Sequence, residues 1–94
     1  MQIFIKIEIP QNMLKEDEVL RAQDEFGKQF KHIVSSGKMV MGGAFADTDG
    51  GFFIVDVEDT DDLADLFIPS LFTNVLTETH FIVPLGGNMG RVGN

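Results

Sequence analysis

The chain contains no cysteine, tyrosine or tryptophan among its 94 residues. Without cysteine it can form neither disulfides nor a thiolate metal site, two means by which small domains make up for a small core. Its aromatic residues are nine phenylalanines, so a binding site must rely on apolar shape more than on phenol or indole hydrogen bonds. A chain of this length fits one domain and buries about 60–65% of its unfolded surface, so a partner would add stability.

Basic residues are scarce, with 7 Lys and Arg against 15 Asp and Glu, which gives a formal net charge of −8. Nucleic acids and anionic membrane surfaces attract clustered Lys and Arg, so we expect neither as a partner. No apolar run approaches the roughly 20 residues that span a bilayer. No basic segment followed by an apolar one resembles a secretory leader, so we expect a cytoplasmic location.

The first half of the chain predicts a strand followed by a long helix. Residues 2–9 alternate isoleucine with other side chains, which is the period of a strand, and Pro10 ends it. Asn12 is predicted to cap the helix, which stops at Gly37. Gly27 lies inside the helix at a cost of about 1 kcal/mol relative to Ala, which indicates close packing there. The apolar stripe of the helix consists of Val19, Ala22, Phe26, Phe30 and Ile33.

The second half predicts two strands, a short helix and a last strand. These elements are strands at 38–45 and 52–57 joined by an Asp-Gly turn, a helix opened by Thr60, and a strand at 77–85. We expect the pair Gly42–Gly43 to bend or bulge the first of these strands. Residues 1–85 are assigned to one domain and 86–94 to a Gly-rich tail. The order favours an α+β, ferredoxin-like βαββαβ fold with a four-stranded antiparallel sheet and both helices on one face.

The last three predicted strands are apolar on both faces, which predicts a homodimer. A sheet with one face in water alternates apolar with polar residues, as only the first strand does here. Two helices cover one face, and a second copy packed about 10 Å away would cover the other across a two-fold axis. The alternative is that these faces are less exposed than the pattern indicates. The sequence does not exclude a larger assembly.

Three segments resemble those of the muconolactone isomerase-like proteins, which belong to the dimeric α+β barrels. They are the Ile5-Lys6-Ile7 strand, the glycine-rich second strand, and residues 66–72 before the strand that ends at Leu85. The YCII-like proteins of the same superfamily are a near alternative. The resemblance covers residues 1–85 and implies a dimeric barrel with cofactor-free isomerase activity on a compact organic acid or lactone.

Four ionisable residues are candidates for proton transfer in such a barrel. By strand alternation, Lys6 and Glu8 lie on the face where the barrel closes, and Asp56 and His80 are expected on that face too. Glu8 or His80 would remove a proton next to a carbonyl, and the Lys6 cation would stabilise the enolate. The side chains expected to line the substrate are Phe4, Phe52, Asp56 and Phe72.

Other interpretations of these residues remain open. Lys6 and Glu8 would also suit an ordinary ion pair at the rim of a dimer, and His80 a solvent-facing position. The chain would then be a non-catalytic dimeric domain that binds a small-molecule ligand or a partner protein. A cofactor-free monooxygenase is a further possibility, because one fold hosts many activities. With two histidines, no calcium loop and no Gly-x-Gly-x-x-Gly motif, we predict neither a metal nor a cofactor.

Overall fold

The computed structural model describes residues 1–67 and 74–83. In chain order the elements are β1 (Gln2–Glu8), a 3₁₀ turn (Gln11–Met13), α1 (Glu16–Ser36), β2 (Met39–Ala44), β3 (Gly50–Asp56), α2 (Thr60–Ala64) and β4 (Leu76–Ile82). The predicted order βαββαβ is therefore confirmed. No helix within these two ranges is long and apolar enough to cross a membrane. Phe72 and the predicted tail at 86–94 lie outside the described residues.

The four strands form one antiparallel sheet in the order β2-β3-β1-β4. β1 lies in the interior of the sheet, so Ile5 stands opposite Phe53 on one side and opposite Thr79 on the other. β2 and β4 are the two edges. This arrangement is the predicted α+β, ferredoxin-like sheet.

The hydrophobic core lies between the sheet and the two helices. Every second residue of β1 is buried, because strand side chains alternate between faces. The buried cluster consists of Ile3, Ile5, Ile7, Ile33, Phe53, Val55, Val57 and Leu66. Burying one such Ile, Val or Leu side chain stabilises the fold by about 1.5–3 kcal/mol. Since Ile33 of α1 and Leu63 of α2 pack in the same cluster, both helices cover one face, as predicted.

The start of α1 differs from the predicted one. Asn12 lies in the 3₁₀ turn and α1 begins at Glu16, so the predicted cap was wrong. The Glu18 carboxylate accepts a hydrogen bond from the Lys15 backbone N–H at 2.9 Å. Three acidic residues occupy the first turn, where the helix dipole favours anions. The predicted stop at Gly37 is confirmed, and its φ of 75° is the left-handed conformation that glycine adopts without strain.

The bulge in β2 lies at Val40, because Met39 and Met41 stand opposite consecutive residues of β3. The predicted position at Gly42–Gly43 was therefore wrong. Glycine serves a different purpose at residue 43, where a Cβ would lie 2.9 Å from Cε1 of Phe52. Because residue 43 has no Cβ, the Phe52 ring can lie over β2.

Candidate functional site

The face of the sheet opposite the helices carries both charged and aromatic side chains. Even-numbered residues of β1 point to this face, and the strand register brings even-numbered residues of β3 and β4 beside them. We call it the open face. It consists of Phe4, Lys6, Glu8, Phe52, Ile54, Glu78, His80 and Ile82, with Met41 at one edge and Leu76 at the other.

A row of rings crosses the open face from β2 to β4. The ring centroids are separated by 6.3 Å for Phe45 and Phe52, and by 5.8 Å for Phe52 and Phe4. The Phe4 ring lies 6.3 Å from the His80 imidazole. Such separations are typical of interacting aromatic pairs. The row forms an apolar floor that ends at His80, and it contains two of the side chains predicted to line a substrate, Phe4 and Phe52.

Three ionisable side chains meet at the β4 end of this floor. Lys6 stands directly opposite Glu78 in the register of β1 and β4. His80 Nε2 lies 2.9 Å from the Glu78 carboxylate. The hydrogen bond from His80, followed by the charges of His80 and Lys6, holds the pKa of Glu78 below its ordinary value of 4.5. Glu78 is therefore an anion at neutral pH and accepts a hydrogen bond from the Nε2–H of His80, while Nδ1 of the ring is not engaged by this bond.

Glu78 is the functional candidate that sequence reasoning missed. It precedes His80 by two residues, so alternation alone places both on one face. Its position opposite Lys6 depends on the register between β1 and β4, which the sequence pattern does not specify. The alternation was therefore the available signal, and the pairing required the structure.

Two shallow clefts flank Lys6 and Glu8. The first has a volume of about 170 Å³ and is lined by Lys6, Glu8, Leu76, Thr77 and Glu78. The second has a volume of about 420 Å³ and is lined by Lys6, Glu8, Phe45, Asp47 and Thr48. No ion pair joins Lys6 to Glu8 within residues 1–67. Both charged groups are thus available to a compact ligand in either cleft.

A larger cleft of about 600 Å³ lies beyond Glu8, between the 3₁₀ turn and the β2–β3 hairpin. Its main polar groups are engaged in holding the hairpin. Gln11 and Gln23 each donate a side-chain hydrogen bond to the Asp49 carboxylate at 2.8 Å. The Ile9 N–H donates to the Asp49 carbonyl at 3.0 Å. We assign this cleft a structural role, because the Asp49 carboxylate already has two amide donors.

Asp56 lies on the same face of the sheet as the other candidate residues, but at the opposite end of that face. It stands opposite Gln2, at the end of β1 remote from Glu8. Its carboxylate lies 3.3 Å from the amino group of Met1. The structure therefore brings Lys6, Glu78 and His80 together and leaves Asp56 apart. Among the residues that it describes, no group of three or more His, Cys, Asp or Glu is placed to hold a metal ion.

Comparison with known proteins shows the fold of this chain. No family model and no curated protein sequence matches it. A crystal structure of muconolactone isomerase superposes on it with a TM-score of 0.69, and the match covers 95% of each chain at 15% identity. The chain thus has the muconolactone isomerase-like α+β fold that the sequence predicted.

Proposed function

We propose that this chain is a small-molecule enzyme that transfers a proton on a compact organic acid or lactone without a cofactor, and that it works as a homodimer. The observation that supports the proposal is the meeting of Lys6, Glu78 and His80 beside the row of rings on the open face. A base, a cation and an apolar floor are the groups that enolisation next to a carbonyl requires.

His80 is the proposed base, and Lys6 stabilises the anion that forms. Nδ1 of neutral His80 takes the proton from the carbon next to the substrate carbonyl. The electrons of that C–H bond form a carbon–carbon double bond, and the π electrons of the carbonyl move to its oxygen, which becomes an enolate oxygen beside the Lys6 ammonium. In a substrate whose enolate is conjugated with a carbon–carbon double bond, return of the proton to the far carbon moves that double bond and regenerates neutral His80. Glu78 stabilises the imidazolium that exists between the two transfers.

Glu8 is the alternative base of this proposal. It lies one alternation beyond Lys6 on β1 and lines both clefts that Lys6 lines. A carboxylate there would act on a substrate bound toward the hairpin, whereas His80 would act on one bound over Phe4. Separate substitutions of the two residues therefore distinguish the two modes of binding.

A second copy of the chain is the proposed cover of the open face. Met41 and Leu76 at its edges are 58% and 53% exposed, although both are apolar. Glu78 and His80 are each 58% exposed in the single chain, where water would weaken their effect on an enolate. Sheet-on-sheet packing at about 10 Å would bury these side chains and exclude water from the ionisable group.

The test of catalysis is hydrogen–deuterium exchange and isomerisation of a panel of small lactones, muconolactone included, followed by NMR in D₂O. We expect His80→Asn and Lys6→Met each to lower turnover by about 100-fold or more, the usual contribution of such a group. Thr79→Ala and Lys15→Met are the matched controls, since Thr79 lies on the other face of β4 and Lys15 precedes α1. Unchanged turnover in both test variants would refute the assignment, and loss only in Glu8→Gln would transfer the role of base to Glu8.

The test of the dimer is the mass in solution by light scattering. Ile54 lies in the middle of the open face, opposite Phe4 and Met41, so Ile54→Lys places a charge in the proposed interface. We expect it to halve the mass of the particle, whereas Met13→Lys in the exposed 3₁₀ turn leaves the mass unchanged. A wild-type chain that is monomeric at micromolar concentration would contradict the proposal.

A non-catalytic ligand-binding domain is the second candidate function. The exposure of Glu78 and His80 favours it, because exposed ion pairs of this kind are common on protein surfaces and contribute little. Binding of a lactone that shifts the NMR signals of His80, with no exchange or isomerisation of that lactone, would select this function over catalysis.

A further inference from the structure

α1 carries a second apolar stripe that does not face the core. Leu20 is 60% exposed and Val34 is 48% exposed. Leu20, Gly27 and Val34 follow one another at intervals of seven residues. Two helical turns take about 7 residues, so the three share one side of the helix. Single exposed apolar residues are ordinary, but two large ones aligned with a glycine between them form a surface that another helix can fit.

Gly27 has no role that the described residues of its own chain explain. A Cβ at this position would have no atom within 4 Å, so the close packing predicted from the sequence is not made within residues 1–67 and 74–83. Glycine weakens a helix interior relative to alanine. Among the described residues no backbone approaches Gly27, so its lack of a side chain leaves room for a backbone from a neighbouring subunit.

The stripe is symmetric about its glycine. Gly27 lies one residue from the midpoint of α1 (Glu16–Ser36), with Leu20 and Val34 at equal distances on either side. If a second α1 crosses antiparallel at Gly27, Leu20 lies against the partner's Val34, and the two-fold axis repeats the contact. The glycines at the crossing point allow the helices to approach closely.

The charges beside the stripe also favour an antiparallel arrangement. Asp24 and Lys31 lie seven residues apart on one flank of the stripe. In an antiparallel pair Asp24, whose carboxylate lies 3.2 Å from Lys28 of its own helix, also stands near the partner's Lys31. Lys31 makes no ion pair in the part of the chain that the structure describes, so its ammonium is available to a neighbouring subunit.

We propose that a second copy of this chain docks on α1 in antiparallel orientation, with the two helices crossing at Gly27. The contact is separate from the open face and does not depend on the proposed activity. Because one helix per subunit makes a small interface, we expect an association at the weak end of protein–protein interfaces. Together with a dimer through the open face, it would build an assembly larger than a dimer.

The test is a charge-swap series measured by sedimentation velocity over a range of protein concentrations. Leu20→Glu and Val34→Lys should each weaken association, since each puts a charge against an apolar partner. The double variant and an equimolar mixture of the two single variants should restore it. Residues 20 and 34 of one chain are about 21 Å apart along the helix, so restoration can come only from a neighbouring copy. Arg21→Glu and Ser35→Lys, one residue off the stripe, are the matched controls.

Gly27→Ala provides an independent measurement. In a single subunit it should raise the thermal midpoint, because the new methyl group meets no atom of residues 1–67 and 74–83 and alanine favours the helix. In the assembly it should raise the dissociation constant by about tenfold or more, because the methyl groups separate the helices. The proposal is overturned if both single charge variants keep the wild-type mass, if neither the double variant nor the mixture restores it, or if Gly27→Ala leaves association unchanged.

Discussion

Gln29 is the buried polar side chain of α1, and its replacement tests how the second half of the chain is held to the first. The residue has no exposed surface, and its Nε2 donates to the backbone carbonyl of Leu66, directly after α2. Gln29→Met keeps the length and flexibility of the side chain and removes the donor. The Leu66 carbonyl then loses this partner in a place that water does not reach.

The magnitude follows from the burial of the acceptor. A buried polar group left without its hydrogen bond costs about 1–3 kcal/mol. Methionine fills nearly the same volume as glutamine, so it leaves no large cavity. Its thioether cannot donate a hydrogen bond, so it does not restore the lost partner of the Leu66 carbonyl. For a domain of this size, 1 kcal/mol corresponds to about 4–8 °C in thermal midpoint. We therefore expect Gln29→Met to lower the midpoint by about 5–20 °C.

The assay is thermal unfolding followed by circular dichroism at one fixed protein concentration, since association also shifts the midpoint. Gln23→Met is the matched control. Gln23 lies on the same helix and also donates through Nε2, to the Asp49 carboxylate at 2.8 Å, but this bond is exposed. Water replaces it, so we expect a loss under about 0.5 kcal/mol. Equal losses in the two variants would refute the reasoning from burial.

Two further predictions concern the sheet and its ionisable group. Gly51→Ala should destabilise the fold by about 1–3 kcal/mol in a denaturant titration, because its Cβ would contact the Gly43 carbonyl and lie 2.9 Å from Cζ of Phe26. Gly42→Ala should cost less in the same titration, because the atom nearest to its Cβ would be the flexible sulfur of Met39 at 3.1 Å. Glu78 has a lowered pKa in the folded chain, so its hydrogen bond with His80 and its interaction with Lys6 stabilise the fold above the ordinary value of 4.5, and this stabilisation is lost as the pH falls through the lowered value. Glu78→Gln should accordingly lower the thermal midpoint near neutral pH and match the wild type in strong acid, and a difference that persists in acid would contradict the linkage.

The fold was predictable because its central strand has an unambiguous pattern. Isoleucine at every second position of β1 can be buried only on one face, and all three inward isoleucines of the strand are in the core. The start of α1 was harder to predict, because the residue at its N-cap, Lys15, is not of a type that usually caps helices. Asn12 has a suitable side chain, but the acidic first turn and the Glu18 carboxylate favour a start at Glu16.

The sequence predicted which face of the sheet carries the candidate site, but not where its residues lie along the strands. Alternation placed Lys6, Asp56 and His80 on one side of the sheet, and the structure agrees. Alternation says nothing about position along a strand, so it could not separate Asp56 from the other two. Cross-strand neighbours depend on register, which is why the position of Glu78 opposite Lys6 was missed.

The register between β1 and β4 therefore connects the proposed site to the proposed dimer. A shift of one residue would turn Glu78 and His80 to the helix face and dissolve the group around Lys6. β3 is fixed in place by inward side chains that are fully buried, but six of the seven residues of β4 are exposed. Apolar contacts of Leu76 and Ile82 with a second copy would supply the burial that β4 lacks. We therefore expect Ile54→Lys, at a position opposite Phe4 and Met41 rather than opposite an ionisable side chain of the site, to lower turnover as well as mass.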